Sequence, residues 1–135
     1  MPSKKIRWEK QAAEDDYDAA LRYLTLLLPD REAKKVVAAL RRAPTGEFAA
    51  KDLLRASQTH LLEKDNDKVR ETLKDIKKGK AISPVLLVRG DARIGATLTI
   101  ADGYHRICGS WHWHESCPIA CCLADLPSTP KKKAQ

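Results

Sequence analysis

Asp102, Gly103, Tyr104, His105 and Arg106 form one unbroken run that joins an acid, a glycine and two basic groups. An acid of this kind can hold magnesium or take a proton from an attacking hydroxyl, and adjacent basic groups can neutralise phosphate oxygens. Asp102 and His105 are therefore the candidate catalytic residues, with Asp102 also the candidate metal ligand. Gly103, Tyr104, His105 and Arg106 are the candidate ligand-binding residues. Two local alternatives stand beside this chemistry: Asp102 could cap the following helix, and Arg106 could pair with Asp102. Gly103 would serve either a close phosphate approach or a tight turn.

The run sits where the hydrophobic period changes. Leu98 and Ile100 alternate with Thr97 and Thr99 like a half-buried strand, whereas Ile107, Trp111 and His114 follow a helical spacing. A helix opening near Gly103 would offer unpaired backbone N–H groups and a positive dipole end to an anion.

Other polar groups are candidates with weaker spacing. Lys51, Arg55 and Ser57 form a second polar cluster, and Lys64, Asp65 and Asp67 a third; a solvated face explains either. Cys108, His112, His114 and Cys117 have a spacing that suggests zinc, which needs four converging ligands. Cys108 and His112 share a helix face, but His114 lies about 200° from His112 at the helical pitch, so convergence requires a break at Trp113. Cys121 and Cys122 point to opposite faces of a strand, and Trp111 and Trp113 read as partial core.

The elements that must position these groups are legible upstream. Tyr17, Ala20, Leu21, Leu24 and Leu28 share one face of a helix expected to begin after Asp15 or Asp16 and to stop at Pro29. Asp30 is placed to cap a second helix with Val36, Val37 and Leu40 on its apolar face and Arg41 and Arg42 in its last turn. Phe48 to Leu54 is ambiguous between strand and short helix. Asn66 or Asp65 can cap a helix carrying Val69, Leu73 and Ile76, which Gly79 ends. Pro84 to Arg89 reads as a buried strand, Gly90 to Gly95 as a turn, and Pro118 to Leu123 as a last strand. The chain thus divides into a helical extension over 1–44, a mixed domain over 45–126, and a basic, apolar-poor tail over 127–135, expected to be disordered.

A length of 135 residues supports one domain with a modest core, and the net charge of +7 leaves a polyanion, an acidic ligand or simple solubility open. Much of that excess lies in Ser3-Lys4-Lys5, Lys77-Lys78-Gly79-Lys80 and Lys131 to Lys133, two of the three near the ends. No apolar run approaches a bilayer span, the first residues lack the core of a secretion signal, and the cysteines are bunched, so a soluble protein of the reducing cytoplasm is expected. Arg89-Gly90-Asp91 reads as a hairpin turn rather than an adhesion signal.

From about Glu47 to Ala124 the chain resembles the ParB/sulfiredoxin superfamily, on the run Ile82 to Val88, the hairpin after it, and Ile100 to Ile107. The resemblance implies an α+β fold, a small mixed β-sheet flanked by helices, here with an N-terminal helical hairpin. It also implies a nucleotide site at the glycine turn, which holds CTP in ParB proteins, ATP in sulfiredoxin and adenine nucleotide in the Asp-Gly-His-His-Arg turn of free-serine kinases. By that likeness ATP or CTP with Mg2+ would be the ligand, and Lys51, Arg55 and Ser57 would reach the pocket from the opposite side. Tyr104 replaces the reactive cysteine of sulfiredoxin, which argues against sulfinic acid reduction. The extra glutamate and arginine of ParB clamps are missing, as is their long DNA-binding helical region. A kinase carboxylate has only Glu47 and Asp52 as candidates. The start, Ile6-Arg7-Trp8-Glu9-Lys10, resembles a group of small bacterial proteins. Two other classes of function remain open: a nucleic-acid-binding or weak nuclease module acting through basic surface outside the turn, and an interaction protein with a vestigial pocket.

Overall fold

The computed structural model describes residues 5–127, so the tail expected beyond Pro127 lies outside the described residues. Five α-helices and four strands follow in the order α1 (Glu14–Leu24), α2 (Asp30–Arg42), β1 (Gly46–Ala49), α3 (Ala50–Ser57), α4 (Asp67–Lys77), β2 (Val85–Val88), β3 (Thr99–Asp102), α5 (Tyr104–Trp113) and β4 (Pro118–Ala124). The fold is α+β with a mixed sheet ordered β1-β4-β2-β3. The β2/β4 pair is parallel, and the β1/β4 and β2/β3 pairs are antiparallel. No helix among the described residues is long and apolar enough to cross a membrane.

The apolar runs in β2 and β4 make sense because both faces of the sheet are covered. Leu86, Val88, Cys122 and Ala124 pack with Tyr17, Ala20, Leu24, Val36 and Leu40 of the hairpin. Val85, Leu87, Ile119 and Cys121 pack on the other face with α3, α4 and α5. The N-terminal hairpin is thus one layer of a three-layer arrangement. Cys121 and Cys122 do face opposite cores, as strand alternation requires.

Helix boundaries differ from the sequence expectation at the first two helices. The α1 helix opens at Glu14, ahead of Asp15, because Glu14, Asp15 and Asp16 all suit the positive end of the dipole and Asp16 Oδ2 accepts from the Ala13 amide at 3.2 Å. It closes at Leu24, short of Pro29, where the Thr25 hydroxyl bonds the Arg22 carbonyl. Asp30 is the first helical residue of α2 and caps nothing; Pro29 holds the cap position. Farther on, Asn66 caps α4 by accepting from the amides of Lys68 and Val69, and Gly79 follows its end at φ +75°. The ambiguous segment resolves into both forms, since β1 runs into α3 at Ala50, whose amide bonds the Cys117 carbonyl.

The α4 and α5 helices cross at Gly109. A Cβ there would lie 2.6 Å from Thr72 Cγ2 and 3.3 Å from the Val69 carbonyl oxygen. Gly109→Val should therefore lower stability by about 1–3 kcal/mol through overpacking, read as a reduced urea midpoint with unchanged slope. An unshifted midpoint would show that the two helices separate freely.

Candidate functional site

The register of β3 decides where Asp102 points. Leu87 lies opposite Ile100 while Leu86 lies opposite Asp102, so Ala101 is the extra residue of a β-bulge. The bulge moves Asp102 onto the Leu86 face of the sheet, which the hairpin covers. There Asp102 meets Asp16 of α1, whose carboxylate contributes directly to its electrostatic surroundings.

Arg106 binds both acids. Its Nη2 donates to Asp102 Oδ2 at 2.6 Å, and its Nη1 donates to the Ser83 carbonyl at 2.9 Å and to Asp16 Oδ2 at 3.4 Å. Arg106 side-chain exposure is 17% and that of each acid 20%, so the ion pairs are largely shielded. The local pairing that the i, i+4 spacing permits is the observed one, and Asp102 does not cap α5. Gly103 holds the cap position at φ +111°, where a Cβ would lie 2.5 Å from Val85 Cγ1. Its need for glycine is met by packing within the chain. The first bond of α5 runs from the Ile107 amide to the Gly103 carbonyl, so the amides of Tyr104, His105 and Arg106 have no intrahelical partner.

These groups line an open cleft of about 400 Å3 with Asp16, Asp75 and Ser83. A neighbouring groove of about 550 Å3 shares Asp102 to His105 and extends along β3 past Thr97, Thr99, Ser57 and Thr59. Tyr104 borders both, and its hydroxyl donates to the His60 carbonyl, fastening the loop before α4. His105 also borders both; burial, then the nearby Lys68 charge, lowers its pKa from the usual 6.5. Burial pushes Asp102 up to about 6, opposed by Arg106 and reinforced by Asp16.

The second cluster divides. Ser57 lines the β3 groove, though its buried hydroxyl already bonds the Leu53 carbonyl at 2.8 Å. Arg55 is exposed and paired with Asp52. Lys51 is exposed at the far end of α5, its amide bonded to the Glu115 carbonyl. Neither lines the cleft: the start of α3 is bonded to the chain beyond α5, and of α3 only Ser57, its last residue, borders the groove at the glycine turn. Lys64, Asp65, Asp67 and Glu47 lie outside the cleft lining too. Asp16, Asp75 and the Ser83 carbonyl are the contributors that sequence reasoning missed; Asp16 had read only as a helix-start acid.

The zinc spacing does not converge. Cys108 and Cys117 are buried in the second core, His112 Nε2 lies 2.8 Å from the Leu62 carbonyl, and His114 Nδ1 accepts from the Ser116 amide. Among the described residues no group of three or more His, Cys, Asp or Glu is arranged to hold a metal. No protein-family model, no curated protein and no solved structure matches this chain.

Because Asp102 ionises near 3.8 when unfolded and near 6 when folded, the folded state holds its proton more tightly. Stability should be greatest below pH 4 with respect to this group, fall by at most about 3 kcal/mol as pH rises through 6, and level off near pH 7. Asp102→Asn should flatten that slope in urea titrations run from pH 4 to 7; an unaltered slope would place the titration elsewhere.

Proposed function

We propose that the cleft at the start of α5 binds the phosphates of a nucleotide or another phosphorylated small molecule, in the class of ATP or CTP with Mg2+. The observation that carries this is the uncapped α5 N-terminus, with three amides lacking intrahelical partners, opening beside Arg106 into a polar cleft. The resemblance of Asp102 to Arg106 to nucleotide-holding turns supports the same ligand class.

The lining also holds three carboxylates, Asp16, Asp75 and Asp102, against Arg106. That balance suits a metal-chelated phosphate better than a bare one. Mg2+ takes one or two carboxylates together with phosphate oxygens and retained waters, and Asp102 fits the carboxylate position. Bound there, it would neutralise phosphate charge. His105, lowered below 6.5, is able to accept a proton from a hydroxyl or water at neutral pH, and Asp102 is the alternative base where it does not hold the cation, which fits phosphoryl transfer or nucleotidase chemistry. Four free, buried cysteines among the described residues support a reducing cytoplasm.

A thermal-shift panel of ATP, CTP, GTP, ADP and single- and double-stranded DNA, with and without Mg2+, tests the assignment. A nucleotide at hundredfold excess over its Kd should raise the midpoint by about 5 °C or more. The gain should shrink without Mg2+ and vanish in Arg106→Ala, each protein being compared with its own ligand-free midpoint. No response to any nucleotide would leave an interaction protein. A salt-sensitive response to DNA alone, equal in the variant, would mark a nucleic-acid module.

A further inference from the structure

Arg106 is held unequally by its two acids. The leg to Asp102 is short at 2.6 Å, whereas the leg to Asp16 is 3.4 Å and shares Nη1 with the Ser83 carbonyl at 2.9 Å. Asp16 Oδ2 has a second partner at the start of its own helix, the Ala13 amide at 3.2 Å. It can thus give up the guanidinium and stay hydrogen-bonded. Asp16 lines the same cleft as the α5 turn, and it is an anion with carboxylate oxygens where a phosphate oxygen would sit against Arg106.

We propose that Asp16 is an autoinhibitory counter-anion: it occupies Arg106 in the free protein and is displaced by the ligand phosphate, which unlatches the first turn of α1 from the α5 turn. The inference rests on phosphate binding at this turn and adds its regulation. Unlatching is confined to that first turn, because Tyr17, Ala20 and Leu24 remain in the hairpin core. Glu14 stays tied to α2 through Arg41 at 2.8 Å, and Arg41 also lies over the Tyr17 ring at 4.3 Å. The hairpin therefore keeps its place while one ion pair exchanges.

Asp16→Asn tests this, since the amide oxygen can still accept from Ala13 while the competing charge is gone. Calorimetric titration with inorganic pyrophosphate in the absence of Mg2+ should show about tenfold tighter binding to the variant than to wild type. Glu14→Gln, which removes a charge from the same turn away from the cleft, should bind like wild type. In wild type, saturation with Mg-ATP should shift the side-chain carboxyl carbon resonance of Asp16 while that of Glu14 is unchanged. That measurement stands even if Asp16→Asn does not fold. Equal affinity of wild type and Asp16→Asn, equal tightening by Glu14→Gln, or an unmoved Asp16 carboxyl resonance would overturn the latch and leave the phosphate site intact. No binding to any of the proteins would overturn both.

Discussion

The Arg106 guanidinium is the interaction on which the site end of this molecule depends. It joins α5 to the end of β3 through Asp102, to α1 through Asp16, and to the chain entering β2 through the Ser83 carbonyl. Two partly buried carboxylates facing each other without that cation would repel, and neither could recover full hydration. The arrangement has its own prerequisites. Asp102 reaches the hairpin face only through the bulge at Ala101, and α5 begins where it does only because Gly103 tolerates φ +111° against Val85.

The same dependence explains why the hairpin is a layer of the fold. A β2 strand that is apolar on every residue cannot leave one face in water, and β4 repeats the demand with Cys122 and Ala124 on one side and Ile119 and Cys121 on the other. The hairpin answers the first face and α3, α4 and α5 the second. Dividing the chain at Pro44 marks where the pattern of elements changes, yet the contacts that matter to the cleft cross that point from Asp16 to Arg106.

Much of this was legible from spacing. The α4 face and a cap at Asn66 or Asp65, the buried β2, the strand-to-helix change at Gly103 and the opposed Cys121 and Cys122 follow from periods and caps that act within a few residues. What escaped is nonlocal or depends on one inserted step. Simple alternation gives Asp102 the same face as Ile100, and only pairing with β2 shows the bulge that reverses it. Asp16 had a sufficient local explanation as a residue marking the start of the first helix, so nothing nearby pointed to a partner in α5. Lys51 and Arg55 misled for the opposite reason: they were placed by likeness of segment, while the direction of α3 beside α5 carries them away from the turn.

The cleft sets two electrostatic tendencies against each other, and the balance bears on what it discriminates. The first turn of α5 presents N–H donors and the positive end of a short dipole, a contribution that fades within one turn. The carboxylates of Asp16, Asp75 and Asp102 outnumber Arg106 around the same space. A bare anion gains from the amides and loses to the acids, so its net attraction is small. A ligand that brings a divalent cation with its phosphate satisfies both halves, since the cation meets the acids while the phosphate oxygens meet the amides. An arginine already neutralised by the chain's own carboxylates would raise the threshold further on that reading, because an incoming oxyanion would have to outcompete a tethered partner. On the proposed reading, selectivity for a chelated, multiply charged phosphate over ordinary cellular anions would follow from the charge layout of the cleft, before any contact with a base or sugar is considered.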